Sequence, residues 1–257
     1  MPAPEAILRC VRSALLATLP LLTVACAAPT SRVDLQLLPA PTRASLRGVH
    51  AVTAAVAWVS GSEGTCLRTL DGGASWQPCP PAPARGRDLR DVHAFDALNA
   101  VVMAVGSPAL LLRTADGGAA WEVVWRDDHP QAFLDAIDFL DARDGFAFGD
   151  PVEGRFVTLR TRDGGASWRR TTPAPAPQPG ESAFAASGTS AVVLPGGDVL
   201  VGTGGGEVAR ILRGSALGER WRTHTTLLRS GAPSRGVFSL AVHGLRDRKS
   251  TRLNSSH

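Results

Sequence analysis

Leu159-Arg160-Thr161-Arg162-Asp163-Gly164-Gly165-Ala166-Ser167-Trp168 decides how the rest of the chain is read, because the same pattern occurs three times. It stands also at Leu67-Arg68-Thr69-Leu70-Asp71-Gly72-Gly73-Ala74-Ser75-Trp76 and at Leu112-Arg113-Thr114-Ala115-Asp116-Gly117-Gly118-Ala119-Ala120-Trp121. A worn fourth copy, Leu212-Arg213 to Trp221, keeps the Arg-to-Trp distance of eight residues but has lost the Asp and one Gly. Successive Trp residues lie 45, 47 and 53 positions apart. A period of this size marks stacked supersecondary units. In each copy a carboxylate at the head of a tight turn is placed to accept bonds from the N–H groups just beyond it, and the Gly pair permits positive φ. The Trp then covers the hairpin with an apolar face. Asp71, Gly73 and Trp76, Asp116, Gly118 and Trp121, Asp163, Gly165 and Trp168, and the orphan Trp221 are therefore read as structural. The competing reading makes the three Asp residues catalytic or metal-binding, but a site needs one constellation, and here there are three equivalent ones.

Two strand-like stretches precede each box. The first set is Leu46–Val52, Leu89–Phe95, Leu134–Leu140 and Ser182–Ser187; the second is Val56–Val59, Ala100–Val105, Gly145–Gly149 and Val199–Gly202. With the hairpin around the box this makes four strands per repeat, the arithmetic of a propeller blade. The expected fold is all-β, a β-propeller of four-stranded blades, with four blades and the start of a fifth at Gly236–Val242. Box spacing of this kind suits a parent of six or seven blades, so about two to three blades are expected to be missing from the ring.

Residues 1–27 read as an export signal. Arg9 and Arg12 precede the apolar run Ala14–Leu22, which is too short to span a bilayer, and small residues and Cys26 follow. Leu22-Thr23-Val24-Ala25-Cys26 resembles a lipobox that would lipidate Cys26, with cleavage after Ala25 or Ala27 as the alternative. Residues 28–44, with Pro29, Pro39 and Pro41, read as a tether, and 45–247 as the incomplete propeller. Lys249 is the only Lys in the chain, and the string from Arg248 to His257 resembles translated sequencing-adapter read-through; an ordinary polar tail is the alternative. The body is Gly- and Pro-rich, with 27 and 19 respectively, as short strands and many turns require. Of the formal net charge of +4, the leader carries +1 and the last nine residues +2, leaving +1 for the body. So balanced a body gives no electrostatic footprint for nucleic acid.

The leader, the boxes and the segments Gly149–Phe156 and Gly180–Gly188 together resemble the photosystem II stability/assembly factor-like group of exported Asp-box (BNR-repeat) proteins in the sialidase-like superfamily. The resemblance covers about residues 45 to 245 and implies a propeller; its photosynthetic members are assembly chaperones that hold a membrane-protein partner. On that basis the chain is expected to be a binding or assembly scaffold for a protein or glycan partner, with a membrane contact only through an N-terminal lipid. A glycoside hydrolase of the same superfamily is the alternative. The superfamily's sialidases use a Tyr nucleophile, and this chain has no Tyr.

A carboxylate pair could still act as acid and base. Candidates lie between boxes, at Asp127, Asp128, His129, Asp150, Glu153, Arg155 and Glu181, with solvated loop charge as the plainer reading. Asp150-Pro151-Val152-Glu153-Gly154-Arg155 interrupts the strand pattern and gathers three ionisable groups, so it is the first choice for ligand contact. No metal site or cofactor is expected, since His50, His93, His129, His224 and His243 show no ligand spacing. Cys66 and Cys79 are equidistant from Gly72-Gly73, so a hairpin centred there sets them opposite each other, at a separation a disulfide tolerates. Two free thiols are the alternative, since a bulge would shift the register.

Overall fold

The computed structural model describes residues 36–38, 41–186 and 188–242. The leader, Cys26, most of the tether and the tail from His243 onward lie outside the described residues. Everything below concerns the unit Leu38–His257.

Four antiparallel sheets of four strands follow one another, each a simple meander. Blade 1 holds β1 (Leu46–Ala51), β2 (Ala57–Gly61), β3 (Cys66–Thr69) and β4 (Gln77–Pro78). Blade 2 holds β5 (Leu89–Ala94), β6 (Ala100–Ala104), β7 (Ala109–Thr114) and β8 (Glu122–Asp127). Blade 3 holds β9 (Leu134–Phe139), β10 (Gly145–Val152), β11 (Arg155–Thr161) and β12 (Arg169–Arg170). Blade 4 holds β13 (Ala191–Val193), β14 (Val199–Gly202), β15 (Arg210–Ser215) and β16 (Arg220–Thr225). The first strands meet across the blades, β1 against β5, β5 against β9 and β9 against β13, so they form the inner row, and the fourth strands form the outer edge.

The blades are held together by sandwiched apolar layers. Every residue of β6 is buried. Because alternate side chains of a strand point to opposite faces, Ala100, Val102 and Ala104 enter the layer shared with blade 1, while Val101 and Met103 enter the layer shared with blade 3. A third layer, built on Phe146, Phe148, Val199, Val201 and Leu212, joins blades 3 and 4. Trp121, Trp168 and Trp221 belong to these layers and do not merely cover their own hairpins. Trp121 meets Trp58 edge-to-face at 6.3 Å, Trp168 meets Phe139 at 5.7 Å, and Trp221 meets Phe146 at 6.0 Å. The repeated Arg of each box adds a polar latch to the next blade. Arg68 donates to the Ala97 carbonyl at 2.5 Å, Arg113 to that of Gly164 at 3.1 Å, and Arg160 to that of Ala216 at 3.2 Å.

Two expectations about the strands are corrected. The first strand of blade 4 is Ala191–Val193 and not Ser182–Ser187. The Ser182 segment is drawn off the sheet, with a single bridge to Gly204 and the Ala183 N–H bonded to Asp150 of blade 3. Gly236–Val242 likewise forms no strand. Gly236 makes one bridge to Gly204, and Val237 is buried in the niche left by the missing side chain of Gly202.

Candidate functional site

Each Asp-box is a closed hydrogen-bond unit. In the first, the Thr69 hydroxyl donates to Asp71 Oδ1 at 2.8 Å and accepts from the Gly73 N–H at 2.8 Å. Asp71 also accepts from the Ser75 N–H at 2.9 Å and the Ser75 hydroxyl at 2.6 Å. These donors, the Ser75 hydroxyl foremost, hold the exposed Asp71 carboxyl down at about 2. The third box repeats the geometry with Thr161, Asp163, Gly165 and Ser167; burial pushes the Asp163 carboxyl up, but the Ser167 and Thr161 donors outweigh it and hold it low. In the second, the Thr114 hydroxyl donates to Asp116 at 2.8 Å and Ala120 supplies its N–H at 3.0 Å but has no hydroxyl to match that of Ser75. The carboxylates thus spend their acceptor capacity on their own turns.

The charged candidates named from the sequence do not converge. Asp150 is half-buried and accepts from the Ala183 N–H at 3.1 Å; burial pushes its carboxyl up to about 6. Asp150-Pro151-Val152 does not interrupt a strand. It belongs to β10, which bulges between Gly149 and Pro151 and then turns at Glu153-Gly154 into β11, with Val152 opposite Arg155. Glu153 and Gly154 have φ of 51° and 74°, the pair of positive values that a two-residue hairpin turn takes. Glu181 is buried as an internal anchor, bonded to the Arg210 guanidinium and to the Thr203 hydroxyl at 2.6 Å. Asp128 is exposed and paired with Arg126, and the His129 N–H donates to Asp127 at 3.0 Å.

Glu153 and Arg155 do reach a cavity, of about 370 Å³, where they line one end together with Phe156, Thr158 and Arg170. Arg170, Thr171 and Thr172 are shared with a second, larger cavity of about 450 Å³, so the two form one cleft along the outer edge of blade 3. The larger cavity is lined by Arg160, Arg162, Arg169 and Arg170 against a single Asp and a single Glu, Asp163 and Glu219. The third box gathers these guanidinium groups. Its hairpin pairs Arg160 with Arg169 and Leu159 with Arg170, bringing both flanks of the box together. Arg160 is held by Glu219 at 2.9 Å and Asp144 at 3.2 Å, and Arg170 by Asp127 of blade 2. Arg162 leaves 69% of its side chain exposed, with Glu219 no nearer than 3.8 Å. Four arginines therefore gather at one place in an evenly charged body, two of them already paired with acids. The sign of this gathering in the sequence was four arginines at 160, 162, 169 and 170, on either side of one hairpin turn.

The inner row carries a second polar set, which sequence reasoning left out. Asp91 of β5 accepts the Val92 N–H and, across to blade 3, the Ile137 N–H, both at 2.8 Å. Asp138 of β9 accepts the Val193 N–H of blade 4 at 2.7 Å. Asp135 is buried with neither oxygen hydrogen-bonded, and burial, with the charge of Asp150, pushes its carboxyl up. His93 lies 4.2 Å from His50, ring to ring, and burial lowers its pKa to about 3. Asp91 and Asp138 tie inner strands of adjacent blades together, whereas the arginine cleft is open.

Comparison with known proteins matches residues 28–130 to the family described as "Photosynthesis system II assembly factor YCF48". No curated protein matches the chain in sequence. Among solved structures the backbone is similar to YCF48 bound to D1 peptide, with a TM-score of 0.51 and 18% identity over 72% of this chain and 56% of that one. It is also similar to YCF48 from Cyanidioschyzon merolae, with a TM-score of 0.55 and 19% identity over 75% of this chain and 60% of that one. An ancestral GH74 enzyme shares the fold at a TM-score of 0.53 and 10% identity, over 70% of this chain and 25% of its own. At these identities the likeness is one of fold, and the chain spans less than two thirds of the length of each of these structures.

Proposed function

We propose that this chain is a BNR-repeat β-propeller of the sialidase-like superfamily and a binding and assembly scaffold that holds an acidic segment of a protein partner in the arginine cleft of blade 3. The observation that carries the reading is the lining of the larger cavity, where Arg162 and Arg169 stand beside two arginines already paired with acids, Arg160 with Glu219 and Asp144 and Arg170 with Asp127. Guanidinium groups present planar forks that match carboxylates. A related fold has been solved as YCF48 bound to D1 peptide, which supports a peptide as the class of ligand. The hydrolase reading has less support, because Asp135, whose carboxyl senses the charge of Asp150, is itself only 1% exposed and gives a substrate little access.

A fluorescently labelled peptide rich in Asp and Glu, titrated into the full chain and followed by anisotropy, tests the proposal. Binding is expected to weaken as salt rises, and Arg169→Glu with Arg170→Glu is expected to weaken it by about tenfold or more, each lost charge pair contributing ~1 kcal/mol. Equal binding by that variant, with its circular dichroism unchanged, would remove the cleft from the account. Tighter binding of a neutral oligosaccharide than of the peptide would transfer the site to a glycan.

Export with lipidation at Cys26 is part of the same proposal, supported by Arg9, Arg12 and the apolar run Ala14–Leu22. Mass spectrometry of the mature protein from a bacterial membrane fraction is expected to find Cys26 as an acylated N-terminus. A mature protein that still begins at Met1 would refute it.

A further inference from the structure

Cys66 and Cys79 lie in blade 1, away from the arginine cleft of blade 3. Cys66 opens β3 and Cys79 directly follows β4, and the register of Leu67 with Pro78 and Arg68 with Gln77 continues into the pair. The Cys79 N–H donates to the Cys66 carbonyl at 2.8 Å, which fixes the two residues opposite each other. Both side chains are buried on the same side of the hairpin as free thiols, and their sulphurs lie 3.0 Å apart.

The second Asp-box is seated on this pair. The Trp121 indole N–H donates to the Cys79 carbonyl at 3.0 Å, and Gly118 packs so close that a Cβ there would meet the Cys79 Cβ. The seat is otherwise weakly held. β4 has only two residues, and Pro78, Pro80 and Pro81 offer no N–H to a ladder.

We infer that Cys66 and Cys79 form a disulfide that staples the outer edge of blade 1 and so fixes the surface on which the Asp-box of blade 2 docks. One cysteine thiolate attacks an external disulfide such as oxidised glutathione, breaking its S–S bond and releasing one thiol. The other thiolate then displaces the second thiol from the mixed disulfide. The two cysteines lose two electrons to the external disulfide, which is reduced to two thiols that take up the protons the cysteines released. The hydrogen bond to Cys79, with burial, pushes the Cys66 thiol up. Thiolate is therefore scarce in the closed hairpin, and exchange proceeds when the short outer strand opens. The loop closed by the bond contains the whole first box, so the stabilisation falls on the element that carries the repeat.

The full chain is equilibrated in reduced and oxidised glutathione, its remaining thiols are alkylated under denaturing conditions, and it is digested with trypsin. Cleavage after Arg47, Arg68 and Arg85 puts Cys66 in residues 48–68 and Cys79 in residues 69–85, so the two peptides travel together only when bonded. The expected result is the joined pair in the oxidised sample and its loss on reduction, with a thermal midpoint that is higher when oxidised. A Cys66→Ala, Cys79→Ala double variant is expected to lose that redox dependence; should it fail to fold, the peptide map of the unaltered chain decides. Separate alkylation of both cysteines throughout the oxidising range would overturn the inference, as would pairing of either one with Cys10 or Cys26.

Discussion

Gly118→Ala is expected to destabilise the array by about 3–5 kcal/mol, a large loss for one added methyl group. Gly118 has φ of 87°, a conformation that costs Ala ~1–2 kcal/mol. A Cβ there would also overlap the Cys79 Cβ, which belongs to the neighbouring blade and cannot swing away as a long side chain would. Gly154→Ala separates the two terms. Its φ is 74°, almost the same backbone, yet a Cβ at that position meets nothing within 4 Å. Urea denaturation is expected to show a loss of about 1 kcal/mol for Gly154→Ala and several times that for Gly118→Ala. Equal losses would mean that the second box does not press on blade 1.

Asp91 is expected to make stability depend on pH in the direction opposite to ordinary acid unfolding. Burial pushes its carboxyl up to about 7, against the pull of the Ile137 and Val92 N–H groups, and the nearby Asp138 raises it further. In the unfolded chain the same carboxyl titrates near its ordinary value of about 3.9. Between those values the folded protein keeps a proton that the unfolded chain has released, so this contribution is fully present below about pH 4 and is lost as pH rises through about 7. A shift of roughly three pKa units corresponds to ~4 kcal/mol. Asp150, raised to about 6, adds in the same direction, whereas His93, lowered to about 3, opposes it because its unfolded form takes up a proton first. The comparison that isolates Asp91 is therefore Asp91→Asn measured against the unaltered chain from pH 4 to pH 8. The stability difference is expected to move in favour of the variant by several kcal/mol across that range. A constant difference would show that Asp91 is ionised in the folded state throughout.

The repeat was legible because its chemistry is local. Thr, Asp, Gly and Ser of one box satisfy one another within seven residues, so their spacing survives in the sequence and marks each blade. The inner and second strands of blades 1 to 3 were legible for a related reason, as short strand-like stretches that recur upstream of each box. What failed was set by contacts between blades. Ser182–Ser187 has a strand-like composition, but the Asp150 carboxylate of another blade holds Ala183 out of the sheet. Glu181 looked like a ligand group in a loop, yet Arg210, 29 residues later, turns it into a buried anchor. Asp91 and Asp138 sit in ordinary strand sequence, and only the neighbouring blade makes them bridges. The arginine cleft was readable in principle, since its four residues flank one recognised turn, but a charge balance taken over the whole body averaged it away.

The most direct test of the scaffold account is hydrogen exchange of the full chain with and without a saturating acidic peptide. The account predicts added protection confined to the cleft, in residues 155–175 and around Glu219, with the boxes of blades 1 and 2 unchanged. Protection centred on the inner strands, or none at concentrations where the peptide is bound, would contradict it.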